Sequence, residues 1–258
     1  MHMQQTWSPR LLVTDLRTAS RRAADVIAVE LRTDAPCLGL ATGSSVDTVF
    51  RHLAELVASD EVLRAGVARA HAFALDEYVG LPRGDPRSYS DTLRRQLADP
   101  IGLEPSRLHT PIALPDEDPS PYDEAIQTAG GIGVQLLGIG ANGHIGFNEP
   151  GSPVDSRTRV VRLADRTRSD NARFFPSPDD VPTHAVTQGI GTILSARRLV
   201  VLAFGPGKAA ALQAAVHGPL TEDVPASALR LHPDVVILAD RDAASGLSLP
   251  PRPDATYA

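Results

Sequence analysis

Residues 37–57 read CLGLATGSSVDTVFRHLAELV, and this stretch decides the fold class. The apolar run Cys37–Ala41 is typical of a buried strand, and Gly43 breaks it. Hydrophobic residues then recur at helical spacing, at Val46, Val49, Phe50, Leu53 and Val57. The stretch therefore predicts a strand, a short polar turn and a helix.

The same alternation continues on both sides of this unit. Helices are indicated by Lys208–Val216 and by the spacing of Leu16, Ala19, Ala23, Ile27 and Leu31. Further buried strands are predicted at Ala70–Leu75, Val134–Leu137, Leu199–Phe204 and Val235–Ala239. Strands that alternate with helices predict an α/β fold, with three α/β/α layers around a mainly parallel sheet. Ligands of such sheets bind beyond the carboxyl ends of the strands.

Composition limits the classes of function. The 258 residues are 42% hydrophobic and 22% charged, which fits one globular domain spanning residues 1–258. A net charge of -6 gives no positive field for nucleic acid or an anionic membrane, so any phosphate must be bound locally. Neither a targeting segment nor an apolar run of about 18 residues is present, and we expect a cytoplasmic protein.

The single cysteine, Cys37, is expected to be a buried, reduced thiol. The proline-rich stretches Pro111–Pro121 and Pro250–Pro253 are interpreted as surface loops or disorder.

A polar turn, Thr42, Gly43, Ser44 and Ser45, lies between the first predicted strand and its helix. Hydroxyl groups and free backbone N–H groups at a helix amino terminus form an anion site. A plain turn in which a serine or threonine caps the helix is the alternative.

Two adjacent carboxylates follow the next strand, in the sequence LDEYVGLP at residues 75–82. Asp76 and Glu77 would lie in the cleft, where loss of water and neighbouring charge can adapt one of them to accept a proton. A helix cap or a salt bridge is the alternative role.

A glycine-rich segment, GIGANGHIGFNEP, occupies residues 138–150. Its start matches the dinucleotide fingerprint, but no helical pattern follows, so we predict no nicotinamide cofactor. His144, Asn148 and Glu149 instead suit proton transfer between sugar oxygens, because histidine titrates near neutrality. The alternative is a histidine that only closes a loop.

Two basic residues could hold phosphate. Arg173 lies in NARFF, and Lys208 follows Gly205 and Gly207 at the start of a helix. Each alone would usually be a solvated surface charge. No pair of histidines or cysteines has the spacing of a zinc site, so no metal is expected.

Six segments between about residue 10 and about residue 245 resemble the glucosamine-6-phosphate deaminase family, also called glucosamine-6-phosphate isomerases. They occur in the order and approximate spacing of that family, at Leu75–Pro82, Gly143–Pro150, Ser156–Arg159, Asn171–Phe175, Gly189–Ile193 and Lys208–Val216. The resemblance implies a Rossmann-like fold without a cofactor. It also implies conversion of glucosamine 6-phosphate and water to fructose 6-phosphate and ammonia.

The resemblance also implies roles for individual residues. Asp76 stands where the family has its enolisation base, and His144 where it has the acid/base that opens the sugar ring. Glu149 falls on the acidic partner of that histidine. Thr42–Ser45, Arg173 and Lys208 fall on segments that hold the substrate and its phosphate.

Two positions depart from the family pattern. Asn142 replaces an Asp that some members carry beside the histidine, and an amide can orient the ring but supplies no negative charge. Val161 replaces a lysine in the phosphate site of members activated by N-acetylglucosamine 6-phosphate, which argues against that activation.

Several alternatives stay open at this point. They are a deaminase of galactosamine 6-phosphate, a lactone hydrolase resembling 6-phosphogluconolactonases, and a catalytically silent sugar-phosphate sensor. In each, the partner is a small sugar phosphate. The family includes monomers and hexamers, so a homo-oligomer is also left open.

Overall fold

Seven parallel strands form the central sheet of the computed structural model, which describes residues 9–82, 84–111 and 118–247. The strands are β1 (Arg10–Val13), β2 (Cys37–Leu40), β3 (His71–Ala74), β5 (Leu108–His109), β6 (Val134–Gly138), β9 (Arg198–Ala203) and β10 (Val235–Ala239). Their order across the sheet is β1-β10-β9-β6-β2-β3-β5. The central strands are almost wholly buried, which explains their uninterrupted apolar sequences.

Helices flank this sheet. The longest two, α1 (Leu16–Leu31) and α2 (Ser44–Ser59), pack against each other. Asp15 caps α1 by accepting a hydrogen bond from the Thr18 backbone N–H at 2.9 Å. The other α-helices are α3 (Glu61–Arg69), α4 (Tyr89–Leu93), α5 (Asp99–Ile101), α6 (Ser120–Thr128), α7 (Asp165–Asn171), α8 (Ile190–Leu194) and α9 (Ala209–His217). No helix in the described ranges is long and apolar enough to cross a bilayer.

A second, smaller sheet was not predicted. It is antiparallel, in the order β4-β8-β7, with β4 at Asp76–Tyr78, β7 at Arg159–Arg162 and β8 at His184–Thr187. Backbone hydrogen bonds from Leu75 to Leu40 (2.7 Å) and from Gln188 to Leu75 (2.8 Å) join it to the main sheet. Asp76, the first residue of β4, therefore lies just beyond the carboxyl end of β3.

The order of the strands fixes the position of the cleft. From β2 the chain runs outward through β3 to β5, and it then returns to add β6 on the other side of β2. This reversal is a topological switch point, where the loops after the two adjacent strands diverge and leave a crevice. The loop after β2 contains the predicted segment 42–45, and the loop after β6 contains the predicted segment 138–150 from residue 139 onward.

The predicted α/β fold with a mainly parallel sheet is confirmed. Helix α1 and strand β10 have the predicted bounds, and the other predicted strands differ by one or two residues. Cys37 is fully buried, and burial raises the pKa of its thiol to about 12, as expected of an inert cysteine. One prediction was partly wrong, because α6 already begins at Ser120, within the predicted loop Pro111–Pro121. Residues 112–117 and Pro250–Pro253 lie outside the described residues.

Candidate active site

The turn after β2 leaves the amino terminus of α2 open. Gly43 precedes the helix with φ 132°, a conformation that favours glycine, and none of the side chains that the structure describes caps the first turn. Ser44 and Ser45 begin a helix of 16 residues, so their N–H groups and hydroxyls are free to bind an anion. The alternative of a side-chain helix cap at this turn is excluded.

Asp76 and Glu77 are both buried, but their surroundings differ. Glu77 accepts backbone hydrogen bonds from Tyr78 (2.8 Å), Tyr89 (3.0 Å) and Ser90 (2.7 Å). Its carboxylate therefore holds the amino-terminal turn of α4, which is the helix-capping alternative raised for this pair.

Asp76 has no such compensation. It is 7% exposed, and no described residue donates a hydrogen bond or offers a cation to its carboxylate. Burial, together with the neighbouring charge of Glu77, raises the pKa of Asp76 to about 8. Such a carboxyl group exchanges its proton near neutral pH.

The segment after β6 is a loop and opens no helix, as predicted. Within it, the His144 ring lies directly against the Gly140 backbone, where a β-carbon on residue 140 would come within 2.4 Å of the ring. The Gly140 N–H also donates to the His144 carbonyl at 2.9 Å. The ring can occupy this position only because residue 140 is glycine.

Glu149 and Asn142 flank the histidine. Asn142 accepts a hydrogen bond from the His144 backbone N–H at 3.2 Å and donates to Glu149 Oε2 at 2.7 Å. Glu149 Oε1 lies 3.5 Å from His144 Nδ1 and accepts a hydrogen bond from the Thr167 hydroxyl at 2.5 Å. Burial acts to raise the pKa of Glu149, but its polar contacts with His144 and Thr167 outweigh burial and lower that pKa to about 2. Glu149 is therefore an anion at neutral pH.

Asn148 fixes the end of this loop to the second sheet. It is fully buried, donates to the Ile145 and Gln188 carbonyls, and accepts a hydrogen bond from Arg159 at 2.8 Å. The Phe147 N–H donates to the Thr187 hydroxyl at 3.1 Å, and Thr187 is the strand partner of Asp76. The Asp76 strand and the His144 loop are thus held next to each other.

The two basic residues are placed differently. Lys208 is half-buried where α9 begins, and burial lowers the pKa of its ammonium group, with Asp170 acting in the opposite direction. Arg173 is exposed, with its guanidinium 4.8 Å from the Phe174 ring centroid. In the described chain no hydrogen bond or ion pair joins Arg173 to the other predicted phosphate-binding residues, so its role stays a prediction.

Sequence patterns did not predict the contribution of α7. This helix reads DRTRSDN, a polar sequence typical of a surface helix, yet Thr167 contacts Glu149 and Asn171 donates to the Tyr78 hydroxyl at 2.9 Å. Both contacts join residues far apart in the chain, so a periodicity analysis has no signal for them. Among the described residues, no cluster of three potential metal ligands is present.

A family model and a known protein both match most of this chain. The family model described as glucosamine-6-phosphate isomerases/6-phosphogluconolactonase matches residues 14–237. A glucosamine-6-phosphate deaminase from Cutibacterium acnes is 50% identical over 243 residues, which are 93% of this chain and 92% of that protein.

Solved structures give the same relatives. A monomeric glucosamine-6-phosphate deaminase is 40% identical with a TM-score of 0.84, and the match covers 92% of this chain and 99% of that one. A 6-phosphogluconolactonase from Leishmania guyanensis has a TM-score of 0.70, with 94% and 100% coverage. It is only 20% identical, so it shows a shared fold alone.

Asp76→Asn is expected to stabilise the folded protein at high pH. The pKa of Asp76 is about 8 in the folded protein, whereas the ordinary value of 3.8 applies to the unfolded chain. Between these pH values Asp76 ionises in the unfolded chain but stays protonated in the folded protein, so the free energy of unfolding falls as pH rises. Unfolding in denaturant should show no gain for the variant near pH 4 and a gain on the order of a few kcal/mol near pH 9.

The adjacent variant Glu77→Gln serves as the control with the opposite sign. This variant should lower the free energy of unfolding by roughly 1–3 kcal/mol, because the Glu77 carboxylate that it removes accepts three backbone hydrogen bonds. A gain for Asp76→Asn that is equal at pH 4 and pH 9 would contradict the raised pKa.

Proposed function

The chain belongs to the family of glucosamine-6-phosphate isomerases and 6-phosphogluconolactonases, and from this premise we propose that it is a glucosamine-6-phosphate deaminase. The reaction converts glucosamine 6-phosphate and water to fructose 6-phosphate and ammonia. The observation that carries the proposal is the buried Asp76 carboxyl group, held beside the loop that pairs His144 with Glu149.

The proposed first step opens the sugar ring. His144 moves a proton between the ring oxygen and the hydroxyl at C1, which frees the C1 aldehyde. Glu149 stays ionised, and its Oε1 faces His144 Nδ1, where it can accept a hydrogen bond from that nitrogen. The separation of 3.5 Å needs only a small approach to form a hydrogen bond, and catalytic hydrogen bonds commonly shorten when substrate binds.

The second step moves a proton between carbons. Ionised Asp76 takes the proton from C2 of the open-chain sugar while a proton of the C2 ammonium group passes to the C1 oxygen, which leaves an enolamine, and Asp76 then returns its proton to C1. The nitrogen at C2 becomes an iminium, water adds to C2, and the carbon–nitrogen bond breaks to release ammonia. The C2 proton is weakly acidic, so a desolvated carboxylate with a raised pKa is a suitable base.

Phosphate binding supplies orientation. The open amino terminus of α2 and the half-buried Lys208 follow β2 and β9, the strands on either side of β6. A phosphate held by both would lie across the mouth of the His144 loop, and anchoring the far end of the sugar in this way positions C1 and C2. We assign Arg173 to the same phosphate from the resemblance alone.

The other candidate functions use less of this site. A lactone hydrolase needs no base for a C2 proton and would leave the buried Asp76 without a task. A silent sensor would bind sugar phosphate and need neither Asp76 nor His144. Because sugar phosphates do not cross bilayers unaided, we propose the cytoplasm as the site of action.

Ammonia release from glucosamine 6-phosphate tests the proposal. The wild type should release ammonia, and Asp76→Asn should lower kcat by on the order of 10²-fold or more while still binding the substrate. Galactosamine 6-phosphate is assayed in parallel, and faster release from it would reassign the substrate. A folded wild type that binds both phosphates and releases ammonia from neither would exclude a deaminase.

Gly140→Ala is expected to lower kcat by at least 10-fold, because a β-carbon there displaces the His144 ring. Gly138→Ala is the matched control, two residues earlier, where an added β-carbon has no neighbour within 4 Å. Both variants should be compared by ammonia release and by thermal unfolding. Equal activity of the two variants would show that the ring position does not matter.

A further inference from the structure

Helix α7 contacts the His144 loop through the side chain of Thr167. Thr167 is 7% exposed and is the one buried residue of this seven-residue helix. Its hydroxyl donates to Glu149 Oε1 at 2.5 Å, a short bond of the kind that a neutral donor forms with a carboxylate. Neither the sequence pattern nor the resemblance assigns Thr167 a role.

Thr167 and Asn142 hold different oxygens of the same carboxylate. Asn142 binds Oε2, and Thr167 binds Oε1, the oxygen that lies 3.5 Å from His144 Nδ1. With only the Asn142 contact, the carboxylate could still turn about its terminal bond, because that torsion is broad. The second anchor fixes which oxygen faces the histidine.

The helix that carries Thr167 is itself held at its carboxyl end. Asn171 donates to the Tyr78 hydroxyl at 2.9 Å, and Asp170 interacts electrostatically with Lys208. Tyr78 lies on β4, the strand that begins with Asp76. The helix that places Thr167 against Glu149 therefore also contacts β4, which carries the proposed base, and Lys208, a proposed phosphate ligand.

We infer that Thr167 is a positioning residue for the proposed reaction, which keeps Glu149 Oε1 directed at His144 Nδ1. The inference rests on the proposed function for its kinetic consequence, since His144 is assigned to ring opening. Loss of the hydroxyl should slow ring opening and leave phosphate binding and the C2 proton step unchanged.

Three variants test the inference by ammonia release. Thr167→Val keeps the shape but removes the donor, and we expect kcat to fall about 10- to 100-fold with KM changed less than about 3-fold. Thr167→Ser keeps the donor and should recover most of the activity. Thr192→Val is the control, because it removes another buried hydroxyl bound to a carboxylate, Asp123, and should leave kcat unchanged.

Substrate deuterated at C2 separates the two chemical steps. If ring opening becomes slow, the isotope effect on kcat in Thr167→Val should fall toward 1, because cleavage of the C2 bond no longer limits the rate. A variant of the base, Asp76→Glu, should show a larger isotope effect than Thr167→Val. Wild-type kcat and isotope effect in Thr167→Val, or equal losses in Thr167→Val and Thr167→Ser, would overturn the inference.

A crystal structure of Thr167→Val gives a readout independent of activity. Glu149 Oε1 should rotate away from His144 Nδ1 in this variant, and an unchanged separation of about 3.5 Å would overturn the inference. An inactive wild type in which the Thr167→Val structure shows the rotation would count against the proposed function alone.

Discussion

Reversal of strand order between β2 and β6 is the constraint on which the site depends. Parallel strands direct all their carboxyl-end loops to one edge, and adjacent loops leave a crevice only where the chain turns back across the sheet. Here the two diverging loops are the open helix start at Gly43 and the glycine-rich segment that carries His144. Asp76 and Lys208 follow the next strands outward, β3 and β9. Four segments that are separated in the sequence thus follow neighbouring strands at one edge of the sheet, without a long insertion.

Three carboxylates near this crevice, two of them buried and one half-buried, show how their surroundings decide their chemistry. Glu77 accepts hydrogen bonds from backbone N–H groups. Polar neighbours lower the pKa of Glu149 and keep it ionised. Asp76 has neither kind of partner among the described residues, and burial raises its pKa to about 8. Stability favours the first two arrangements and is reduced by the third. A destabilised group in a cleft is typical of a site under selection for reactivity.

Local patterns in the sequence predicted the central sheet, because β2, β3, β6, β9 and β10 are buried on both faces and read as apolar runs. They also located the crevice, since each polar cluster follows a strand. The second sheet had no such signal: β4 is Asp76–Tyr78 and β7 is Arg159–Arg162, both short and polar. The different fates of Asp76 and Glu77 depend on the start of α4, and the contact of Thr167 depends on a loop 18 residues earlier. These contacts join residues that are separated in the chain, so local sequence patterns cannot predict them.

The burial of Cys37 has a practical consequence. This single thiol is fully enclosed and holds its proton to a pKa of about 12, so thiol reagents will not modify it in the folded protein. A cysteine introduced elsewhere would then be the one site that accepts a fluorescent dye. Ser169, on the exposed side of α7, is a suitable position. Dye emission recorded there in stopped flow would report whether α7 moves during a single turnover, without removal of any native residue beyond the labelled one.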